Sequence, residues 1–216
     1  MRTKLSLLAV AGAMACVATA SAQESGFEIG GRVGYGSPLG DAAGGEGDNA
    51  LSDLVSGQIP LQLDAGYRLN SQLFLGGYFQ YGIAFDGLES CDTDGVSCSA
   101  NNLRLGAQVQ YHFQPITTDS AWVGGGIGYE WVNVFIEQGG VDGTLSARGF
   151  EFLNVQGGYD FNVADKFRVG PFAALTLAQY ATVSMDVDGT TVSNSIDDKA
   201  LHSWLLLGVK GTFGPL

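Results

Sequence analysis

Apolar and polar residues alternate along most of the chain. From residue 26 onward, every second residue tends to be aliphatic or aromatic, and the residues between them are mainly glycines, amides and charged side chains. A period of two is typical of a β-strand with one apolar and one polar face. Eight segments follow this period: 27–35, 59–69, 73–85, 103–113, 123–131, 153–161, 167–177 and 201–213. They predict strands of about ten residues or more, whereas strands of soluble proteins usually have about 5–6 residues.

The strand lengths and the connections together predict a membrane barrel. A tilted strand needs about 9–11 residues to cross a bilayer. The connections alternate between long and short: 37–57, 70–71, 86–100, 114–119, 133–147, 162–166 and 181–199. Long loops at one end and short periplasmic turns at the other are typical of outer-membrane barrels. We therefore predict an all-β fold, an eight-stranded antiparallel up-and-down transmembrane β-barrel, with extracellular loops and both termini in the periplasm.

Aromatic residues of the predicted outward face cluster near both strand ends. At the short-turn end they are Tyr67, Tyr111, Phe113, Tyr159, Phe161, Phe167 and Phe213. At the long-loop end they are Tyr35, Tyr81, Phe85, Tyr129 and Trp131. Two aromatic girdles around an aliphatic band match the two interfaces of a membrane. The high β-propensity of aromatic residues explains their number but not this clustering.

Opposite charges on the predicted inward face fall into matching register. Hairpin geometry suggests four pairs: Arg32 with Asp64, Glu28 with Arg68, Arg104 with Glu130, and Asp160 with Arg168. Lys210 lies where it could join Glu28 across the seam that closes the barrel. Because an unpaired charge in an enclosed interior costs about 3–5 kcal/mol, such pairs favour a closed, polar lumen.

The alternation breaks at residues 150–153. Phe150 and Phe152 are apolar, but they fall in the inward register together with Asn154. One interpretation is a β-bulge, which shifts the register by one residue. The other is an interior that is partly apolar near the long loops, where Phe150, Phe152, Tyr180 and Trp204 would line a pocket.

Residues 1–22 have the features of a secretory signal peptide. Arg2 and Lys4 precede an apolar run, and Ala20-Ser21-Ala22 forms a cleavage site. A transmembrane anchor or a lipoprotein modified at Cys16 are the alternatives. With the signal peptide removed, residues 23–216 form the barrel domain. Its net charge is −14, because the whole chain carries −12 and residues 1–22 hold two cations and no acid.

Charge and cysteine content narrow the possible partners. A strongly negative chain is unsuited to nucleic acid, since phosphate contacts require clustered Lys and Arg. Cys91 and Cys98 lie in a polar stretch of an exported chain, which predicts a local disulfide. We expect no metal site there, because no further Cys or His lies nearby.

The candidate catalytic and calcium-binding residues are sparse. The two histidines, His112 and His202, fall at opposite ends of the predicted barrel, and His202-Ser203 is the only hint of catalysis. The segments 92–95 and 186–189 resemble the start of a calcium loop, but the closing Glu is missing and Asp-Gly also forms hairpin turns. We therefore predict neither an enzyme nor a cofactor, and only diffuse binding of divalent cations by acidic loops. Fourteen acids lie there: Asp41, Glu46, Asp48, Asp53, Asp86, Glu89, Asp92, Asp94, Glu137, Asp142, Asp186, Asp188, Asp197 and Asp198.

The pattern over residues 26–213 resembles the small eight-stranded outer-membrane barrels of the OmpA/OmpX type, and loosely those of the OmpW type. The last strand, with Gly208, Val209, Gly211 and Phe213, is similar to the assembly signal of such barrels. The resemblance implies an integral, monomeric protein of a Gram-negative outer membrane. Its implied partners are membrane lipid, lipopolysaccharide and the barrel-assembly machinery.

Three classes of function are compatible with this architecture. The first is a barrel with a plugged polar interior that acts structurally or through its acidic extracellular loops, because about eight strands leave room only for side chains. The second is a narrow OmpW-like channel for small apolar molecules. The third is a soluble periplasmic barrel with its apolar face inward, which would place Leu61, Leu105 and Leu207 inside.

Overall fold

The computed structural model describes residues 25–45, 50–87, 91 and 96–215. The predicted signal peptide, at 1–22, and the acidic segment 92–95 lie outside the described residues. The elements are β1 (Gly26–Gly40), α1 (Leu51–Leu54), β2 (Val55–Arg68), β3 (Leu73–Asp86), β4 (Val96–His112), β5 (Ser120–Gln138), β6 (Val141–Ala164), β7 (Phe167–Val187), β8 (Thr190–Ser195) and β9 (His202–Phe213). No helix in the described ranges is long and apolar enough to cross a membrane.

Eight of the strands close into an antiparallel ring. Neighbours in sequence pair from β1 to β7, and β9 closes the ring by pairing with both β7 and β1. Following directly opposed residues once around this ring leads from Tyr180 on β7 back to Gly170 on the same strand. Such a stagger means that the strands are tilted against the barrel axis, typically by about 35–45°. The predicted all-β barrel is confirmed.

A ninth strand and two hairpin turns correct the predicted connections. Residues 133–147 form the ends of β5 and β6, which meet in a tight turn at Gly139 and Gly140 with φ angles of 61° and 84°. β7 and β8 meet in the same way at Asp188 and Gly189, with φ angles of 50° and 81°. Positive φ at both central residues is the hairpin geometry that matches strand twist, and Gly and Asp accept it most readily. Residues 186–189 therefore serve as a hairpin turn.

The strands β4 to β8 continue beyond the ring at the long-connection end. We call this part the extension: residues 96–101, 132–138, 141–147, 182–187 and 190–195. Here β7 pairs with β8 instead of β9. The Cys91–Cys98 disulfide is formed as predicted and ties the preceding connection to the start of β4.

The outer wall of the ring is apolar. Leu61, Leu105 and Leu207 point outward, with exposed fractions of 46%, 55% and 55%. The charged residues predicted for the lumen are buried within the ring. This polarity is the reverse of a soluble barrel that carries a ligand on an apolar inner face, so the soluble alternative is wrong.

The polarity inverts in the extension. Its outer face carries mainly polar groups, among them Asn101, Asn133, Thr144, Ser146, Ser184 and Ser193. Its inner face, which continues the lumen side of the strands, carries Val134, Ile136, Val141, Leu145, Met185, Val187 and Val192. Apolar side chains thus face outward along the ring and, with the exception of Phe135, inward above it. The change marks the level at which the surroundings of the barrel change from apolar to aqueous.

Trp131, at this level on β5, provides a test. The chain has three tryptophans, and Trp122 and Trp204 are 1% and 0% exposed inside the ring. In bilayers of lipids brominated near the headgroup end of the acyl chain, we expect Trp131 to be the only strongly quenched indole. Trp131→Phe should therefore abolish most of the quenching measured by fluorescence. Trp204→Phe is the control and should leave it unchanged; equal quenching in wild type and Trp131→Phe would contradict this boundary.

Candidate functional site

The interior of the ring is filled by a charge-balanced network. Among the described residues, ten buried side chains other than histidine carry a formal charge. They are the cations Arg32, Arg68, Arg104, Arg168 and Lys210 and the anions Glu28, Asp64, Glu130, Glu151 and Asp160. Five charges of each sign cancel, although the whole chain carries −12. Strand alternation explains the placement, because each residue follows or precedes an outward apolar one.

Glu28 holds two arginines at the short-turn end. Arg68 donates from Nε to Oε2 at 2.7 Å and from a terminal nitrogen to Oε1 at 2.9 Å. Arg168 donates to the same Oε2 at 2.7 Å, and its other nitrogen reaches the carbonyl oxygen of Gly214 at 3.1 Å. The two-nitrogen contact of Arg68 is of the bidentate, charge-assisted kind, which is among the strong hydrogen bonds of proteins. The contacts of both arginines join β1, β2 and β7 and fasten the residue that follows β9.

Asp160 forms a second centre beside Glu28. Its carboxylate lies 3.0 Å from His112 Nε2, 3.0 Å from Trp122 Nε1 and 3.4 Å from Lys210 Nζ. The Nε of Arg168 is farther away, at 3.8 Å. The predicted contact between Asp160 and Arg168 is therefore a long one, because Arg168 is directly opposed by Asn162 instead and directs its short hydrogen bond to Glu28.

Asp64 and several amides fill the middle of the ring. Arg32 Nε lies 2.6 Å from Asp64 Oδ2, while Gln62 and Gln108 donate to the other carboxylate oxygen at 2.7 and 2.6 Å. Arg32 also bonds Gln156, across the lumen on β6. These contacts saturate the carboxylate with donors from three strands, which a buried charge requires.

Glu151, which the sequence reasoning did not assign to the interior, accepts Arg104. Two guanidinium nitrogens bond its Oε2, and Tyr78 donates to Oε1 at 2.7 Å. The pairing of β6 with β7 shifts by one residue between Glu151 and Leu153. This bulge turns Phe150 and Phe152 outward and Glu151 inward. The bulge interpretation of the break at residues 150–153 is thus the correct one.

Two glycines make room for Tyr78 beside this pair. A Cβ on Gly106 would lie 2.5 Å from the Tyr78 hydroxyl, and a Cβ on Gly128 would lie closer still. Any larger residue at these positions would displace the tyrosine ring. The glycine-rich stretch of β5 therefore lets Tyr78, from β3, reach across the lumen to Glu151.

Glu130 is the uppermost carboxylate and is bonded by four different side chains. Trp204 Nε1 donates at 2.7 Å, Asn102 Nδ2 at 2.5 Å and the Tyr180 hydroxyl at 3.1 Å. His202 Nε2 lies 3.2 Å away, and its ring stacks on Tyr180 with 4.0 Å between centroids. The aromatic groups of β7 and β9 thereby close the polar interior from above.

Apolar side chains cover this closure. Leu51, from the short helix α1, and Val55 are completely buried, and Val132, Val134 and Leu206 pack in the same cluster. Four partly buried residues pack against this cluster: Leu54 from α1, Ile136 and Leu145 from the extension, and Ile196, which follows β8. We call Leu51, Val55, Val132, Val134 and Leu206 the apolar plug. It occupies the ring at the level where the outer wall becomes polar.

The structure replaces two of the predicted interior contacts and shifts the predicted register of one strand pair. Arg104 and Glu130 are directly opposed on β4 and β5, as predicted, but Arg104 forms its ion pair with Glu151. Lys210 contacts Asp160 and Gln110 rather than Glu28, because it is directly opposed to Arg32, two inward positions above Glu28. The register predicted for β1 and β2 is also shifted, since Arg32 opposes Gln62 and Glu28 opposes Gly66. Long arginine side chains bridge that offset diagonally, so both β1–β2 contacts form.

The predicted pocket of four aromatic residues does not form. Phe150 and Phe152 lie on the outer wall and are 42% and 46% exposed, because of the bulge. Tyr180 and Trp204 lie inside and bond Glu130. The two pairs therefore face opposite sides of β6, β7 and β9.

Each histidine belongs to one of these clusters. His112 bonds Asp160 at the short-turn end, and His202 bonds Glu130 below the apolar plug. Within the described ranges, no group of three or more His, Cys, Asp or Glu side chains is arranged to hold a metal ion. The dominant property of the interior is thus mutual neutralisation of charge.

The pair of Arg104 and Glu151 gives a test of how much the network stabilises the barrel. Glu151→Gln leaves Arg104 buried without a carboxylate, so we expect the free energy of unfolding to fall by about 3–5 kcal/mol. Urea unfolding in detergent or liposomes, followed by gel migration, measures this change. Glu137→Gln, at an exposed carboxylate of the extension, is the matched control and should change stability by less than about 0.5 kcal/mol. Equal stability of the two variants would contradict the assigned role of Glu151.

Comparison with known structures gives barrels of similar architecture. The chain matches a major outer membrane protein from Thermus thermophilus with a TM-score of 0.56 at 12% identity, covering 88% of this chain and 99% of that one. Neisserial surface protein A (NspA) matches with a TM-score of 0.49 at 15% identity, covering 86% and 97%. Ail, the attachment invasion locus protein of Yersinia pestis, matches with a TM-score of 0.46 at 15% identity, covering 87% and 99%.

Sequence comparisons give the family. Comparison with curated proteins found no match. A family model described as the outer membrane protein beta-barrel domain matches residues 6–170, which is more than half of the chain. The apolar outer wall, polar lumen and closed ring of this protein agree with that description. The chain therefore belongs to the outer membrane protein beta-barrel family.

Proposed function

We propose that this protein is a plugged barrel that acts structurally or through its surface, rather than by conducting solutes or by catalysis. The observation that carries the proposal is the filled interior, in which ten balanced charges lie beneath the apolar plug. A ring of about eight strands has room for side chains and little else. Moving an ion through it would require breaking several buried ion pairs at once, each of which costs several kcal/mol.

The long-connection end, which we place outside the cell, carries the charge available to partners. Among the described residues, nine acids of the long connections lie there together with Lys199: Asp41, Asp53, Asp86, Glu137, Asp142, Asp186, Asp188, Asp197 and Asp198. Such a surface favours divalent cations and basic partners over anions. We also propose that residues 1–22 are removed as a signal peptide, that 23–216 form the barrel domain with both termini in the periplasm, and that the barrel-assembly machinery inserts it as a monomer.

The buried histidines support a non-enzymatic role. His112 and His202 each bond a different carboxylate, in clusters at opposite levels of the lumen. Ser203 is the residue next to His202, and it points toward the opposite side of β9. A nucleophile, a base and an acid within hydrogen-bond reach of one another are the minimum for acyl transfer, and this part of the lumen offers only His202 and Glu130.

Conductance across planar bilayers tests the plug. The wild-type protein should show no steady ion current. The double variant Tyr180→Ala, Trp204→Ala removes the aromatic closure over Glu130 but leaves the ion pairs beneath it in place, so any current it carries should be small and intermittent. Phe150→Ala, Phe152→Ala is the matched control, because it removes the same number of aromatic rings from the outer wall. A steady wild-type current would overturn the plugged barrel.

A narrow path for small apolar molecules is the second candidate, and the extension favours it. The inner face of the extension exposes Val141, Met185, Val187 and Val192 by 44–57% and descends toward the apolar plug. Ile136, Gly143 and Leu145 line the same groove. An apolar concave surface above the membrane boundary is suited to collecting apolar solutes from water.

Neighbouring residues on opposite faces of β7 test this candidate. Met185→Asp places a charge on the inner face and should weaken the binding of a small apolar fluorescent dye to the detergent-free protein in nanodiscs. Ser184→Asp places the same charge on the outer face and should leave dye binding unchanged. If both variants bind the dye like the wild type, the groove does not collect apolar molecules.

A further inference from the structure

Arg148 occupies a distinctive position on the outer wall of the barrel. Arg148 lies on β6, between the outward residues Phe150 and Phe152 on the ring side and the outward residue Ser146 on the extension side. On β5, the same change runs from Trp131 to Asn133. Arg148 therefore lies at the level where the outer wall changes from apolar to polar.

Arg148 is the only cation on the outer face of a strand in the part of the chain that the structure describes. Five of the other Lys and Arg residues lie in the lumen. Lys166 lies in the turn between β6 and β7 at the opposite end, and Lys199 lies in the connection between β8 and β9. No hydrogen bond or ion pair joins Arg148 to another described residue, and its side chain is exposed.

Further hydrogen-bond donors flank this guanidinium. Arg148 is directly opposed by Trp131 on β5 and by Thr182 on β7. Directly opposed residues have Cβ atoms about 4.5–5.5 Å apart and share one face of the sheet. An indole N–H and a hydroxyl thus stand on either side of Arg148. At the next outward position toward the extension, the Ser146 hydroxyl already donates to Asn133 Oδ1 at 2.8 Å. The donors of Arg148, Trp131 and Thr182 are therefore the ones available to an external ligand.

Aromatic rings lie directly below this group. Phe150 and Phe152 contact edge to face with 5.2 Å between ring centroids, and Tyr129 opposes Phe150 on β5. Tyr129 in turn lies 4.6 Å from the Trp131 ring. The surface thus offers a cation with polar donors at one level and an apolar aromatic patch at the next level down.

We propose that Arg148, Trp131 and Thr182 form a binding site for a phosphate group of lipid A, the membrane anchor of lipopolysaccharide. A guanidinium binds two phosphate oxygens through parallel N–H bonds, and this geometry suits Arg better than Lys. The acyl chains of the same lipid then lie along Phe150 and Phe152. The site requires the long-connection end to be extracellular, as proposed above, because lipid A occupies the outer leaflet; it does not depend on the plugged lumen.

Native mass spectrometry of the full mature chain in detergent, titrated with purified lipid A, tests the site. We expect Arg148→Ala to weaken lipid A binding by about tenfold, since a charge-assisted contact of this kind is worth at least one decade in affinity. Arg148→Lys should retain part of the affinity, and Thr182→Val should lose less than Arg148→Ala. Lys166→Ala, at the opposite end of the barrel, is the matched control and should bind like the wild type.

Two further ligands separate the possible sources of phosphate. Dephosphorylated lipid A should bind the wild type as weakly as lipid A binds Arg148→Ala. Inorganic phosphate at millimolar concentration should not displace lipid A. The proposal is overturned by equal lipid A binding in Arg148→Ala and wild type, by tight binding of dephosphorylated lipid A, or by displacement with inorganic phosphate. Heat-dependent gel migration verifies that each variant is folded, and Arg148→Ala should behave like the wild type because Arg148 has no described partner.

Discussion

Neutralisation of charge inside a narrow ring is the constraint on which the rest of this structure depends. A closed sheet of eight strands leaves its inward side chains with no bulk water, so each charge must find its counter-charge among the others. The described lumen contains five cations and five anions, and each of these groups contacts at least one other polar side chain. The contacts join strands far apart in sequence, as Arg168 and Glu28 do across the closing seam. The polar interior thereby acts as the core of the protein, a role that apolar packing plays in soluble domains.

The β-bulge near residue 152 shows how backbone geometry and charge depend on one another. Without the shift, Glu151 would face the apolar surroundings and Phe150 would enter the lumen. With it, Glu151 meets Arg104 and Tyr78, and the two phenylalanines join the outer wall. Leaving Arg104 unpaired would cost several kcal/mol, and so would a carboxylate on the lipid side. The sequence around residue 150 therefore specifies the bulge through charge as much as through hydrogen bonding.

The sequence allowed the ring and the faces of its strands to be predicted, because a period of two is unambiguous over strands of this length. Leu61, Leu105 and Leu207 lie outward as expected. The partner of Arg104 could not be predicted, since a bulge changes which residues face inward and alternation alone leaves its position open. Alternation predicts long loops where the extension lies, for a related reason. Its inward residues are apolar and its outward ones polar, so a pattern fitted to the ring loses its phase at Asn133 and Arg148. The hairpin residues Gly139-Gly140 and Asp188-Gly189 are the sequence signals of strand pairs there.

The inversion of polarity along β5, β6 and β7 follows from what surrounds each part of the sheet. Beside hydrocarbon, the outer wall must be apolar, and the polar residues that remain can only be satisfied inside. Where water replaces hydrocarbon, the outer face can carry Asn, Ser and Thr, and the apolar residues gain by turning inward to cover the lumen. The apolar plug and the extension are thus two results of one change in solvent. Trp131 and Arg148, directly opposed at the level of that change, combine an amphipathic indole with a cation whose charge no described residue neutralises. A group in that position either remains in water or binds an anion at the membrane surface, and the aromatic rings directly below it favour an anion that carries acyl chains.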